Sequence, residues 1–185
     1  GGGVDNPLNV LCKLIGSLKD DNGHITIEGF YGDVIELTDE EKKQINAVPL
    51  TESDFESSIG LPKTFGEKGY TLLEQLSIRP TLDVNGIWGG YTGEGAKTVL
   101  PSKANAKISM RLVPNQSSKK IATLFRKHFE KIAPNTVKVK VTEHHGGEPY
   151  VTPVDSVEFQ AANKAMETTF NKKPLAMRNG ASIPI

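Results

Sequence analysis

The chain has 185 residues and a formal net charge of zero, because 22 basic side chains balance 22 acidic ones. This length fits one domain, or one domain plus part of another. The neutral balance and 6% aromatic content argue against a nucleic-acid partner, which usually meets a basic face. No apolar run approaches the ~20 residues of a membrane span, so we expect no membrane partner either. A single cysteine, Cys12, excludes an internal disulfide and indicates a reducing, cytoplasmic location.

The first elements are predicted from helical spacing and alternation. Apolar residues recur at helical intervals over residues 7–21, and Asn6 is placed to cap this helix. Cys12 falls inside it and is expected to pack as a small apolar side chain. Residues 24–27 alternate as a short strand would.

The next stretch, about residues 31–70, is less regular and is interpreted as an insertion that decorates a core. Thr38 opens a capping box for a short polar helix, and residues 51–58 predict another. Thr71 with Glu74 repeats the capping-box pattern and predicts a third helix.

Two strands follow, joined by a glycine-rich segment. Residues 81–87 and residues 103–113 alternate between apolar and polar side chains, as in a sheet with one solvated face. Four glycines lie between Gly89 and Gly95, which raises the alternative of a phosphate-binding loop. Since no helix is predicted directly after them, a long connection between strands is favoured.

The last part predicts two helices and two strands. One helix runs from a cap at Ser117 or Ser118 to Ile132, and another from a cap at Asp155 to Phe170. Residues 137–141, where valines alternate with lysines, and residues 175–177 predict strands. The predicted fold class is therefore α+β: a two-layer sandwich with helices on one face of an antiparallel sheet. It resembles a ferredoxin-like βαββαβ unit that lacks its first strand.

Four polar residues lie in settings that suggest chemistry. Thr98 lies between the glycine-rich segment and a proline, and Arg111 ends a strand on its polar face. The planar guanidinium of Arg111 suits a carboxylate or a phosphate. His145 follows a predicted strand, and Ser182 lies in a predicted turn. Each is also compatible with an ordinary solvated residue, and the spacing alone does not bring them together.

Two longer segments resemble a known family. Residues 86–99 and 108–114 resemble the lid domain of carnosinase-like zinc dipeptidases, in the metallopeptidase family that includes acetylornithine deacetylase and carboxypeptidase G. Residues 1–7 resemble the segment after that family's His-Ser-Gly motif, and residues 145–150 and 180–184 match two further family phrases.

The resemblance implies a catalytic domain interrupted by a lid that also forms a homodimer through its sheet and helices. Thr98 matches a residue that reaches the neighbouring active site, and Arg111 matches the residue that binds the C-terminal carboxylate of a dipeptide-like substrate. His145 matches a histidine near the reacting carbonyl, and Ser182 matches a serine that contacts the substrate.

The resemblance also implies that the ligands of the family's two zinc ions lie outside residues 1–185. We therefore expect no catalytic residue, no bound metal and no hydrolase activity in the isolated chain. Residues 1–145 are expected to form the lid, and residues 146–185 to begin the C-terminal part of the catalytic domain. The strand before His-Ser-Gly completes the lid sheet in this family, so we expect an open sheet edge and self-association.

The alternative class is a stand-alone α+β module that serves self-association only. A nucleic-acid-binding ferredoxin-like domain ranks last, because the polar positions of residues 103–113 hold no aromatic side chain.

Overall fold

The computed structural model describes residues 1–179, which divide into two compact units. Unit 1 comprises Gly1–Asp33, Thr81–Leu112 and Gln116–Glu148; unit 2 comprises Val34–Pro80, Val113–Asn115 and the segment that begins at Pro149. In chain order the elements are α1 (Pro7–Gly16), α2 (Asp39–Asn46), α3 (Glu52–Ile59), α4 (Leu72–Ser77), β1 (Thr81–Gly89), β2 (Ala104–Arg111), α5 (Ser118–Ile132) and α6 (Val157–Phe170). The division into residues 1–145 and 146–185 stays a prediction.

Unit 1 is built on an antiparallel pair of strands. β1 pairs with β2 so that Leu82 lies opposite Met110 and Trp88 lies opposite Asn105. The register shifts between Val84 and Gly86, which gives β1 one extra residue, as in a β-bulge. Side chains of β2 alternate between half-buried and exposed along its whole length, as the sequence predicted.

One apolar core joins this sheet to the helices of unit 1. α1 contributes Val10 and Leu14, and α5 contributes Ile121, Phe125 and Phe129. These side chains cluster with Leu82 of β1 and with the buried residues Leu18, Ile25, Ile27 and Phe30. The periodicity of α5 fixes this arrangement, because its three buried residues recur every four positions and so form one stripe. The α+β class is confirmed.

The chain after α1 differs from the predicted helix and strand. α1 ends at Gly16, because the chain turns back at Asp20, whose carboxylate accepts bonds from the N–H groups of Asn22 and His24. An isolated bridge between Lys19 and Ile25 replaces the predicted strand over residues 24–27. The expected packing of Cys12 is also wrong, because this side chain lies on the exposed face of α1.

The valine-rich segment 137–141 forms no strand. Val137, Val139 and Val141 pack against the core of unit 1, so the predicted inward face is correct. A strand also needs a ladder of backbone hydrogen bonds, and none of the described residues provides one for this segment. The strand predicted over residues 175–177 is likewise absent from the described part of the chain.

Unit 2 contains three short helices that begin with capping boxes. Thr38, Thr51 and Thr71 each accept a bond from the N–H three residues later, and the acidic side chain there bonds back. These boxes satisfy helix-terminal N–H groups and explain why the sequence located all three helices. The cap of α6 is Ser156 instead of the predicted Asp155, since the Ser156 hydroxyl accepts from the N–H of Phe159.

Candidate functional site

Arg111 ends β2 on the solvated face of the sheet of unit 1. It lies opposite Thr81 in the register, and the alternation of β2 puts its side chain on the exposed side with Asn105, Lys107 and Ser109. Throughout residues 1–179, no carboxylate forms an ion pair with its guanidinium. An exposed guanidinium without an internal partner retains its five donors for a carboxylate from another molecule.

Thr98 lies in the connection between β1 and β2 and is exposed. The connection leaves the sheet where the chain passes close to α1: a Cβ at Gly89 would lie 2.9 Å from the Lys103 carbonyl oxygen and 3.1 Å from Leu8 Cδ2. Further along, the Tyr91 hydroxyl donates to the Glu94 carbonyl at 2.8 Å. The glycines therefore allow close approach and turning, and the connection has no helix after it, which agrees with the favoured interpretation over a phosphate loop.

His145 lies in a segment of unit 1 without regular secondary structure and is exposed. Three residues later, the Glu148 carboxylate accepts bonds from the Ser118 N–H at 3.1 Å and from the Ser118 hydroxyl at 2.7 Å. The segment that carries His145 is thus fastened to the first turn of α5.

The described site residues are not joined by direct contacts. Thr98 lies in the connection between β1 and β2, Arg111 at the end of β2 and His145 after α5, and no hydrogen bond or ion pair joins any two of them. Ser182 lies outside the described residues. The roles of the four predicted site residues therefore stay predictions.

Unit 2 holds a small cavity of about 160 Å³ close to the end of the described chain. Apolar side chains form most of its wall, and Glu41 and Arg178 form an ion pair at 3.8 Å beside them. The Thr38 N–H lowers the pKa of Glu41 most, the Thr38 hydroxyl adds to this, and the charge of Arg178 contributes least. Because the Glu41 carboxylate is already shared by the capping box and Arg178, the cavity offers a ligand mainly apolar contact.

Residues 1–179 contain neither a cluster of metal-ligating side chains nor a helix that could span a membrane. No three His, Cys, Asp or Glu side chains of residues 1–179 lie where they could jointly hold an ion. In the same part of the chain, no helix is long and apolar enough to cross a bilayer.

Exposed apolar side chains lie along β1: Val84, Ile87 and Trp88 are 41%, 46% and 48% exposed. Val84 and Ile87 lie opposite Ile108 and Ala106 on one face of the sheet, whereas Trp88 lies opposite Asn105 on the other face. β1 pairs only with β2 in the described sheet, so its other edge carries unpaired N–H and C=O groups. An edge strand with apolar side chains is a template for pairing with another chain.

Sequence reasoning missed the residue that caps α5. Either Ser117 or Ser118 was expected to supply the cap, yet the Ser117 side chain makes no such bond. Glu148 supplies it from 30 residues away. No local pattern signals this contact, because it depends on where the segment that carries Glu148 meets the helix.

Comparison with known proteins gives consistent matches. The family model described as "Peptidase dimerisation domain" matches residues 1–137. Beta-Ala-His dipeptidase of Homo sapiens is 31% identical over 188 residues, which cover 100% of this chain and 37% of that protein. A Cys-Gly metallodipeptidase of Candida albicans is 34% identical over 190 residues, covering 100% of this chain and 39% of the relative.

Solved structures agree with these matches. An M20 family metallo-carboxypeptidase from Sulfolobus solfataricus superposes with a TM-score of 0.83 and 33% identity, over 97% of this chain and 40% of that one. Human carnosine dipeptidase 1 gives a TM-score of 0.81 and 31% identity, over 100% of this chain and 40% of that one. The chain thus spans about two fifths of the length of the proteins it matches.

Proposed function

The chain belongs to the peptidase dimerisation domain family, and from this premise we propose that it is the lid and dimerisation part of a zinc-dependent dipeptidase or related amidohydrolase. The observation that carries the proposal is the Arg111 guanidinium, which is exposed at a strand end and has no ion-pair partner within residues 1–179. A dipeptide ends in a carboxylate, and a bidentate guanidinium recognises that group better than any other side chain.

Each predicted site residue has a distinct role in this proposal. Arg111 binds the C-terminal carboxylate, and His145 lies near the reacting carbonyl of the substrate. Thr98 reaches the active site of the neighbouring subunit from its exposed connection, and Ser182 contacts the substrate. Such groups accelerate hydrolysis by fixing the orientation of the peptide.

The proposed cofactor of the whole enzyme is a pair of zinc ions that polarise the carbonyl and activate water. The residues described here do not fit a zinc site, because no suitable ligand cluster occurs among them. We therefore assign no metal ligand to this chain and expect the isolated chain to be inactive. Clear hydrolysis of a dipeptide by the purified 185-residue chain with added zinc or manganese would contradict this expectation.

The proposed homodimer forms through the lid sheet and helices, with the edge of β1 and the exposed side chains of Val84 and Ile87 at its centre. Antiparallel pairing of β1 with its copy would satisfy the open backbone groups and place these side chains next to their copies in one isologous contact. A cytoplasmic location is also proposed, since the single cysteine is an unpaired and exposed thiol.

Analytical ultracentrifugation tests the dimer. We expect the unmodified chain to sediment at twice its 20.1 kDa mass and the Ile87→Lys variant at 20.1 kDa. Asp21→Lys adds the same side chain at an exposed position in the turn after α1, outside the sheet and the helices, and serves as the control, which is expected to remain dimeric. A monomeric unmodified chain, or a dimeric Ile87→Lys variant, would reject this interface.

Steady-state kinetics test the role of Arg111 in the active enzyme that contains this chain. Arg111→Met is expected to lower kcat/KM about 100-fold for dipeptides with a free carboxylate. The same dipeptides with an amidated C-terminus are expected to show almost no change. Lys107→Met lies on the same face of β2 and removes a charge without removing the proposed contact. Equal losses on both substrates would favour the alternative, a self-association module in which Arg111 has no substrate role.

A further inference from the structure

The first turn of α5 is capped from a distant part of unit 1. Ser117 occupies the N-cap position, but its side chain makes no capping bond. The Glu148 carboxylate takes its place, accepting from the Ser118 N–H at 3.1 Å and 3.3 Å and from the Ser118 hydroxyl at 2.7 Å. A negative charge at this end of a helix also interacts favourably with the helix dipole.

Gly146 brings the segment that carries His145 close to the same residue. A Cβ at Gly146 would lie 2.7 Å from Ser118 Cβ and 2.8 Å from Ser118 Oγ. Its φ does not lie in the left-handed region, so an alanine here would be disfavoured by the close contact alone. Two independent features, a set of hydrogen bonds and a tight approach, therefore join the segment to Ser118.

A second connection lies before His145. The Arg126 guanidinium contacts the Glu143 carboxylate at 3.8 Å. Arg126 follows Ser118 by eight residues, which is about 12 Å along a helix. The five residues from Glu143 to Glu148 span at most about 17 Å when fully extended. This reach is sufficient for both connections to form at once, and His145 lies between them.

We propose that Glu148 and Gly146 are positioning residues that hold His145 in place against α5. The role of His145 at the substrate rests on the proposed function, whereas the connection to Ser118 does not. Exposed polar contacts are individually weak. Two of them on so short a segment reinforce each other, because closing the first raises the effective concentration for the second.

Nuclear magnetic resonance of the ¹⁵N-labelled chain tests the connection without any need for activity. In the unmodified chain, we expect a His145 backbone order parameter of about 0.85, typical of rigid segments. Glu148→Ala is expected to lower it below about 0.6 and to speed amide exchange at Ser118 about tenfold. Glu148→Gln keeps an acceptor for the Ser118 N–H and is expected to restore most of the order.

Two further variants test whether the close contact at Gly146 and the specific carboxylate of Glu148 are each responsible for holding His145. Gly146→Ala leaves the carboxylate intact and is expected to mobilise His145 through the steric clash. Glu94→Ala removes an exposed carboxylate of the connection between β1 and β2 and is expected to change neither readout. Amide protection at Phe125 and Phe129 reports whether α5 stays folded in each variant. An unchanged His145 order parameter in Glu148→Ala with α5 intact would overturn the proposal.

Steady-state kinetics of the active enzyme that contains this chain distinguish a failure of this inference from a failure of the proposed function. Glu148→Ala is expected to lower kcat with little effect on KM, since His145 lies near the reacting carbonyl, whereas Arg111→Met acts on carboxylate binding. Mobilisation of His145 with unchanged kcat would overturn the positioning role and the assignment of His145, and would leave the Arg111 assignment standing. Equal losses of kcat/KM on free and amidated dipeptides in Arg111→Met would reject the proposed function instead.

Discussion

The buried ion pair between Arg79 and Glu67 offers a direct test of how unit 2 is held together. The two side chains are only 5% and 9% exposed. Arg79 donates to both Glu67 carboxylate oxygens, at 2.7 Å and 2.8 Å, and its guanidinium lies 4.1 Å from the centre of the Tyr70 ring. Glu36 contacts the same guanidinium at 3.6 Å but is largely exposed.

The stability change expected on removing Arg79 follows from two opposing contributions, the attraction between the charges and the cost of removing them from water. Two charges about 4 Å apart attract by about 4 kcal/mol at an effective dielectric constant of about 20. Removing each ion from water costs several kcal/mol, so the intact pair contributes little net stability. Removing Arg79 alone loses the attraction and leaves the buried carboxylate without its guanidinium. We therefore expect Arg79→Met to cost about 3–5 kcal/mol, while Arg79→Met with Glu67→Leu stays within about 1 kcal/mol of the unmodified chain.

Urea unfolding followed by circular dichroism measures these free energies, and amide exchange at Ile78 assigns the effect to unit 2. The Ile78 N–H donates to the Glu74 carbonyl at 2.9 Å, so its protection reports on α4. Lys131→Met is the control, because Lys131 and Glu28 form an exposed pair at 3.2 Å that is expected to contribute less than about 1 kcal/mol.

Two outcomes would refute this reasoning. One is an Arg79→Met variant that loses less than about 1 kcal/mol, which would mean that the pair is solvated. The other is a double variant whose loss equals the sum of the two single losses, which would mean that the charges do not interact. If Arg79→Met does not fold, Glu67→Gln preserves the shape and supplies the same comparison.

Three further predictions concern titration and packing. Burial raises the pKa of Tyr70 in the folded chain above 10.0, its value in the unfolded chain. The stabilising contribution of the neutral phenol is complete below pH 10.0 and is lost as pH rises through the folded-state pKa. Tyr70→Phe should remove this loss in urea unfolding under alkaline conditions. The bond from the Thr51 hydroxyl lowers the pKa of Asp54 below 3.8 most, and the bond from the Thr51 N–H adds to this. The amide protons of helix α3 should therefore lose protection from hydrogen exchange on acidification, and Asp54→Asn should abolish this acid dependence. Phe125→Ala removes a ring that is 8% exposed and should cost about 3–5 kcal/mol, measured by Trp88 fluorescence in urea; a loss below about 1 kcal/mol would contradict the core assignment.

Much of the fold was predictable because its signals are local. The capping boxes at Thr38 and Thr71 involve residues three apart, so the sequence located α2 and α4 directly. The stripe of α5 and the alternation of β2 likewise depend on the 3.6-residue and two-residue periods of the backbone. The α+β class follows from these elements.

The predictions from sequence are wrong where a contact between residues far apart in the chain determines the local structure. Residues 137–141 have the alternation of a strand and pack inward, but a strand also requires a neighbour, which alternation does not supply. Cys12 lies on a predicted helix, but which face of that helix is buried depends on the sheet and on α5. The α5 cap was assigned to a nearby serine, because local preference cannot detect a carboxylate 30 residues away.

The sequence by itself determined the helices, the paired strands and the positions of Arg111, Thr98 and His145 on the chain, because backbone periodicity and capping act over a few residues. The tertiary structure alone decided that Glu148 fastens the segment of His145 to α5, that Arg79 lies buried with Glu67, and that Val84, Ile87 and Trp88 of β1 remain exposed. Each of these depends on which surfaces meet after the chain has folded, and residues far apart in sequence supply the two sides.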